Sequence, residues 1–304
     1  NNHMAVFTIT GATGSVGNAI VRTLQHHSHE IRVLSTRKSL EMTGATSYYW
    51  NPATNEIDSD ALEGADYLIH LAGATVSKRW SASYKKHIVD SRVQGTQLLI
   101  GAVHRMKKPL KAVISASAIG YYGSDFNRLM TEDDASADDY LASVTKTWES
   151  YTQKFKSSYT RSIQLRIGIV LDRGAGVLGQ LEPLAKFGLA APLGSGKQWS
   201  SWIHVDDLAR MFVFAATQSL ESGAYNAVAP APVTNKEFTK ALCRSLKRPM
   251  LPIGIPAFVL KAILGEMATL ALMSQQVSSD KIVTTGFTFH HTQIHNALNE
   301  IYKT

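Results

Sequence analysis

The sequence predicts an α/β fold: a doubly wound parallel sheet followed by a small C-terminal α/β lobe. Three observations predict it. A β-branched run near the start ends in a glycine-rich turn that opens a helix; strand-like and helix-like segments then alternate up to residue 171; beyond it the composition shifts to glycine and proline. Strands separated by helices require parallel pairing through right-handed crossovers.

Residues 5–10 form the first strand, and Val16, Ile20, Val21 and Leu24 behind the turn recur at helical steps. Residues 31–35, 67–71 and 112–115 read as the second to fourth strands, with a helix over 84–104 among the intervening segments. A helix over 141–157 leads into a strand over 162–170. Past Leu171 come Gly174, Gly176, Gly179, Gly188, Gly194 and Gly196, a composition suited to loops over the open end of the sheet. A helix over 205–217 and a strand over 225–228 resume the alternation, so later segments around 200–228 return to the first domain. The domain reading is 4–171 for the sheet domain and 172–304 for a mostly C-terminal, substrate-side lobe. In that lobe, residues 255–273 repeat apolar side chains at three- and four-residue steps and predict one amphipathic surface helix.

Lys plus Arg exceed Asp plus Glu by 31 to 24, a formal charge of +7 that is not gathered into one basic run. Such a balance suits a phosphate-bearing ligand, and without aromatic interleaving it does not read as a nucleic-acid surface. The apolar stretch at 255–273 carries Lys261 and Glu266 and is too polar to span a membrane, so no membrane partner is expected. Asn1-Asn2-His3 reads as a tag remnant before Met4, with no signal segment behind it. A single cysteine, Cys243, cannot form an internal disulfide, and the default location is the cytoplasm.

Thr10-Gly11-Ala12-Thr13-Gly14-Ser15-Val16-Gly17 sets three glycines three apart between a strand and a helix. Gly11 allows the tight turn, Gly14 lets backbone approach a pyrophosphate, and Gly17 lets helix and strand pack closely, with the helix N-terminus facing the anion. A dinucleotide site follows. NAD-selective sites place an acid at the end of the second strand, where this chain reads Ser35-Thr36-Arg37-Lys38. Arg37 can grip a 2′-phosphate as a bidentate fork, which favours NADP; a solvated loop cation is the other reading. Leu71-Ala72-Gly73 at the end of the third strand are small enough for a cofactor backbone to pass, or are ordinary packing.

Together with His70-Leu71-Ala72-Gly73, Val93-Gln94-Gly95-Thr96, Ser115 to Gly123, Leu165-Arg166 and Trp202 to Ala209, the glycine motif resembles the extended short-chain dehydrogenase/reductase superfamily. Within it the chain is similar to the atypical "epimerase family protein" group, also labelled cell-division-inhibitor-like, which ends in a small domain of unknown function. The likeness runs through essentially everything after Met4. It implies a Rossmann-like domain binding NADP (as NADPH), with substrate under the C-terminal lobe. By the motif match Thr10, Gly11, Thr13, Gly14, Ser15, Val16, Gly17, Arg37, Leu71, Ala72, Gly73 and Arg92 are cofactor residues, Arg92 standing where many relatives carry Asn. Ser117 takes the catalytic serine position. The superfamily's Tyr-x-x-x-Lys is not met by the helix Tyr140-Leu141-Ala142-Ser143-Val144-Thr145-Lys146, in either the Lys146 or the Tyr140 register. Tyr121 is the candidate substitute phenol, or it packs with Tyr122 in the loop; Lys146 is a candidate ribose contact, or a solvated helix lysine. Lys197, Trp199 and Trp202 resemble the segment that relatives use near the substrate, where a lysine can hold an anion and an indole can stack on a ring; a glycine turn beside two buried tryptophans is the equal alternative.

These readings predict an NADP-dependent oxidoreductase or epimerase-like enzyme on a small carbonyl or sugar-like substrate, or a non-catalytic NADP(H) sensor of the same fold. The expected partner is a small molecule, and the chain is expected to be a monomer or a homodimer; the resemblance implies that a dimer would form through the helices near 84–104 and 141–157. His204-Val205-Asp206-Asp207 precedes a helix and predicts an aspartate cap. His26, His27 and His29, like His290, His291 and His295, read as surface clusters, and no metal site is expected. The acidic run from Glu132 to Asp139 reads as solvated, Arg166 as a cleft residue or half of a buried ion pair, and Cys243 as core.

Overall fold

The computed structural model describes residues 4–303, so the tag-like residues 1–3 lie outside it. In chain order the sheet domain comprises β1 (Val6–Thr10), α1 (Ser15–His26), β2 (Glu30–Ser35), β3 (Thr46–Asn51), β4 (Glu56–Ile57), β5 (Tyr67–His70), α2 (Ala82–His104), β6 (Ala112–Ala118), β7 (Leu129–Met130), α3 (Tyr140–Thr152) and β8 (Arg161–Ile167). Then follow β9 (Ile169–Leu171), α4 (Gly176–Lys186), β10 (Trp199–Ser200), β11 (Trp202–His204), α5 (Val205–Thr217), β12 (Gly223–Ala227), β13 (Val233–Thr234) and α6 (Asn235–Ser245). The chain ends in α7 (Ala257–Leu264), α8 (Ala268–Leu272), β14 (Gln276–Val277), α9 (Asp280–Thr284) and α10 (Ile294–Ile301).

Eight strands form one sheet in the order β12-β8-β6-β5-β1-β2-β3-β4, parallel except for β4. The direction of winding reverses between β1 and β5, and the carboxyl ends there form the crevice that α/β folds use for ligands. One face packs on α1 and α5, where Phe7, Ile9, Val33, Ile69, Ile114 and Ile163 meet Ile20, Leu24, Leu208 and Phe212 with almost no exposure. Burying each such side chain is worth roughly 1.5–3 kcal/mol, which fixes the strand register.

The opposite face is graded. Leu68 and Val113 pack on Leu98 and Leu99 of α2. Further along the same strands the α2/α3-facing residues become His70, Ser115 and Ser117, with Gln164, Arg166 and Asn226 beside them, all buried. Polarity therefore rises toward the carboxyl ends.

A separate core joins α4, α6 and α10, with Trp202, Phe238 and Leu298 at its centre. The helix expected over 255–273 is two helices, α7 and α8, because Gly265 turns left-handed at φ +61° and stops the first. Among the described residues no helix is long and apolar enough to cross a membrane.

Candidate functional site

Gly11 takes φ +72°, and a Cβ there would lie 3.0 Å from the Leu71 Cβ. At Gly17 a Cβ would lie 2.3 Å from the Gly11 carbonyl oxygen, so only glycine lets α1 close on the turn. Gly14 is different: its Cβ would meet only the Gly11 carbonyl, at 3.6 Å. Gly14 gives α1 no side-chain cap, and no acid stands in the first turn. The N–H groups of Ser15, Val16 and Gly17 therefore lack intrahelical acceptors and face an approach suited to an anion. The Ser15 hydroxyl donates to Asp172, 2.5 Å away in the loop after β9, and the Thr13 carbonyl accepts from the Asn18 amide. Val16 packs against the sheet core. Arg37 is exposed just past β2, its N–H bonded to the Ser35 hydroxyl, with no acid at that strand end. This turn, this helix end and this cation fit a phosphorylated dinucleotide.

Beside the turn runs a relay. The Thr10 hydroxyl accepts from the N–H groups of Leu71 and Ala72 at 3.0 and 3.1 Å, so its own proton goes to His70 Nδ1 at 2.7 Å. His70 Nε2–H then donates to Thr96 at 3.0 Å, and the Thr96 hydroxyl donates to the Arg92 carbonyl. Every atom of the chain is used with a neutral imidazole. Burial, reinforced by the Arg92 charge, holds the His70 pKa down to about 3. Arg92 spans Gly73, donates to the Ala74 and Ile88 carbonyls at 2.9 and 3.1 Å, and lies over the Trp148 ring at 4.8 Å. It thus braces the loop after β5.

The relay makes folding stability depend on pH. Between pH 6.5 and about 3 the unfolded chain binds a proton on His70 that the native state refuses, so stability falls as pH falls through that window. The slope this one group adds is up to ~1.4 kcal/mol per pH unit. His70→Gln should remove that slope between pH 6.5 and 5, read from urea midpoints; an unchanged slope would contradict the relay.

At the ends of β6 and β8 a second cluster is buried. Arg166 donates from Nε and Nη2 to the two Glu149 carboxylate oxygens at 2.8 and 2.9 Å, and from Nη1 to the Tyr122 hydroxyl at 3.0 Å. Both side chains of the ion pair are 5% exposed. Burial opposes the Arg166 charge, and the Glu149 carboxylate more than offsets it, so its pKa is raised. Tyr122 donates to Asn226 at 2.6 Å, and burial raises its pKa to about 12. Arg166 lies 3.6 Å from the Tyr121 ring centroid, and Tyr121 is half-buried. Glu132 is half-buried as well, its pKa raised by burial against the pull of Lys281 and Arg166, so the acidic run is not wholly solvated.

Several expectations are corrected here. Ser117 is buried and its hydroxyl donates to Glu149 at 2.6 Å, so its proton is committed and cannot polarise a reacting oxygen. Trp202 is fully buried, its indole donating to the Ala231 carbonyl, and cannot stack on a substrate. Lys146 is exposed, whereas the α3 residues closest to the turn after β6 are Leu141 and Thr145. That face carries neither the phenol nor the cation of either register. His204, not an aspartate, caps α5, accepting from the Asp206 N–H at 3.0 Å. Asp207 instead accepts from the His290 and His291 N–H groups. His291 stacks on His204 at 3.8 Å, and His29 accepts from the Ala5 N–H at 3.2 Å, so neither is a plain surface residue. Lys197 is exposed and Trp199 half-buried, while Cys243 lies in the lobe core. Glu149, Trp148 and Asn226 carried no warning in the sequence, because the chain does not reveal which face of α3 is buried.

The C-terminal lobe closes on this cluster. Gln275 donates from its amide to the Ile119 and Gly123 carbonyls at 2.8 and 2.9 Å, and β14 pairs with β7.

Residues 7–227 match the NAD dependent epimerase/dehydratase family, and residues 255–301 match a domain of unknown function, DUF1731. An epimerase family protein of Mycobacterium leprae is 37% identical over 97% of this chain and 95% of its own. A crystal structure of the human epimerase family protein SDR39U1 (isoform 2) with NADPH superposes with a TM-score of 0.88 at 28% identity, over 98% of this chain and 99% of that one. A nucleoside-diphosphate sugar epimerase structure from Corynebacterium glutamicum gives 0.79 at 32% identity, over 99% of this chain and 59% of that one. The graded Rossmann-like sheet, its glycine turn and the lobe clamped over it accord with these matches, and the chain belongs to the extended short-chain dehydrogenase/reductases, in the NAD(P)-dependent epimerase/dehydratase family.

Proposed function

We propose that the protein is a cytosolic NADP-dependent oxidoreductase or epimerase-like enzyme acting on a small carbonyl or sugar-like substrate. The observation that carries the reading is the uncapped N-terminus of α1 behind the Gly11–Gly17 turn, with Arg37 at the neighbouring strand end. The likeness to a human relative solved with NADPH supports the choice of cofactor. The nicotinamide, when bound, supplies or accepts the hydride. The chain positions the ligand. Arg37 holds the 2′-phosphate, the α1 N–H groups hold the pyrophosphate, and the loop Leu71–Gly73 lines the adenosine side. Tyr121, the half-buried phenol over Arg166, hydrogen-bonds the reacting oxygen.

Titration with NADPH and NADH tests the cofactor. Arg37→Glu should weaken NADPH at least ~30-fold, as expected for losing a charge-assisted fork worth ~2 kcal/mol, and leave NADH nearly unchanged. Equal losses would remove the assignment. A second reading, a non-catalytic NADP(H) sensor, draws on Leu141 and Thr145 facing the turn after β6 and on the committed Ser117 proton. Turnover separates the two: an oxidoreductase oxidises bound NADPH with some member of a carbonyl panel, an epimerase interconverts a sugar pair with no net change in its cofactor, and Tyr121→Phe slows either; a sensor does neither.

A further inference from the structure

We infer that the C-terminal lobe bears an interfacial docking surface for an anionic lipid bilayer, formed by the apolar tips of residues 187–189, 251–253 and α7 among exposed Lys and Arg. The two loops lie side by side: the Leu251 N–H donates to the Ala190 carbonyl at 2.9 Å, and the Ile255 N–H to the Pro192 carbonyl at 2.8 Å. α7 follows directly behind Pro256. Phe187 and Ile253 are each 81% exposed, Phe258 74% and Ile263 70%, and α7 buries only Leu260. Large side chains left in water in such a cluster mark an interaction surface.

Charge selects the occupant. Residues 183–205 and 238–265 hold seven Lys and Arg and no Asp or Glu; of the acids that bound them, Glu182 is paired with Lys186, Glu266 with Lys85, and Glu237 closes the cap of α6. Lys247, Arg248 and Lys261 stand exposed among the apolar tips, and Lys186, exposed beside Phe187, is paired with Glu182. A second copy meeting this surface isologously would set cation against cation. An acidic protein would answer the cations but would need apolar pockets for the Phe and Ile tips as well. A bilayer with anionic headgroups answers both features, taking the cations at its surface and the Phe, Ile and Leu tips at the acyl boundary. The expectation of no membrane partner rested on the lack of a spanning segment, which interfacial binding does not need.

Flotation of the purified chain with phosphatidylcholine vesicles, alone or mixed with phosphatidylglycerol, tests the inference. The protein should float with the mixed vesicles only, and less as salt rises. Phe187→Ser/Ile253→Ser and Lys247→Glu/Arg248→Glu should each lower the partition at least about tenfold, given ~1 kcal/mol per basic residue near such a surface. Melting temperatures should not move, because all four positions are exposed. Several results would overturn the proposal. They are no flotation of the parent chain, equal flotation with neutral vesicles, full retention by the Phe187→Ser/Ile253→Ser variant, and a dimer in light scattering that the same variant dissolves. Capture by polyglutamate without flotation would point to an acidic protein and overturn it as well.

Discussion

Glu149→Ala should cost about 3–5 kcal/mol of folding stability, the range for breaking a buried ion pair from one side. Arg166 stays charged at any accessible pH, and the substitution leaves its guanidinium in a nearly dry site with Tyr122 as its one remaining acceptor among the described residues. Ser117 loses its acceptor too, which adds an unsatisfied hydroxyl. Urea denaturation should show the midpoint falling at constant slope. Removing both charges tests the cause: Glu149→Leu/Arg166→Met should recover most of the loss, since a well-packed apolar pair often matches a buried ionic one. A double variant as unstable as the single one would mean that shape, not the orphaned charge, is what Glu149 supplies. The same single variant should slow any turnover, because the Tyr121 ring rests on the guanidinium that Glu149 holds.

Gly17→Ala should be the most damaging substitution in the nucleotide turn, costing about 3 kcal/mol, the upper end for overpacking a tight site. The new Cβ would fall 2.3 Å from the Gly11 carbonyl oxygen and 2.6 Å from the Ala12 Cα. These are backbone atoms that cannot rotate away, so α1 must lift from the turn. Both melting temperature and NADPH affinity should drop. Gly14→Ala is the comparison that isolates the ligand. Its φ of −76° suits alanine and its Cβ meets nothing closer than 3.6 Å, so the fold should hold while NADPH binding weakens. If Gly14→Ala binds NADPH as the parent does, the pyrophosphate does not pass over this residue.

Strands and the glycine turn were legible because they are local: a run of β-branched residues, a spacing of three, a helical period. The buried cluster was not. Ser117, Glu149 and Arg166 are brought together from separate elements, and a helix reading Trp148-Glu149 in sequence looks polar on either side. The fork at Arg166 between cleft and ion pair needed the third dimension to settle it. Trp202 shows the converse: an indole beside a glycine turn reads equally as stacking platform and as core, and its full burial decides for core. Capping statistics favour aspartate before α5, yet a neutral imidazole accepts as well when its second face is covered by His291. Polarity graded along one face of a sheet is likewise invisible to a periodicity of two, which reports only that a face is buried.

The Gln275 clamp has a consequence for synthesis. Its two acceptors, at Ile119 and Gly123, leave the ribosome more than 150 residues before their donor. Nascent chains fold from the N-terminus, so the sheet domain up to β12, with α5 on its face, can form while the clamp is still unmade. A message broken between the end of β12 and residue 275 would yield a protein with its nucleotide turn formed and its substrate side ajar. Such a fragment would retain cofactor without gaining a closed site, and the turn after β6 would be its first point of proteolytic entry.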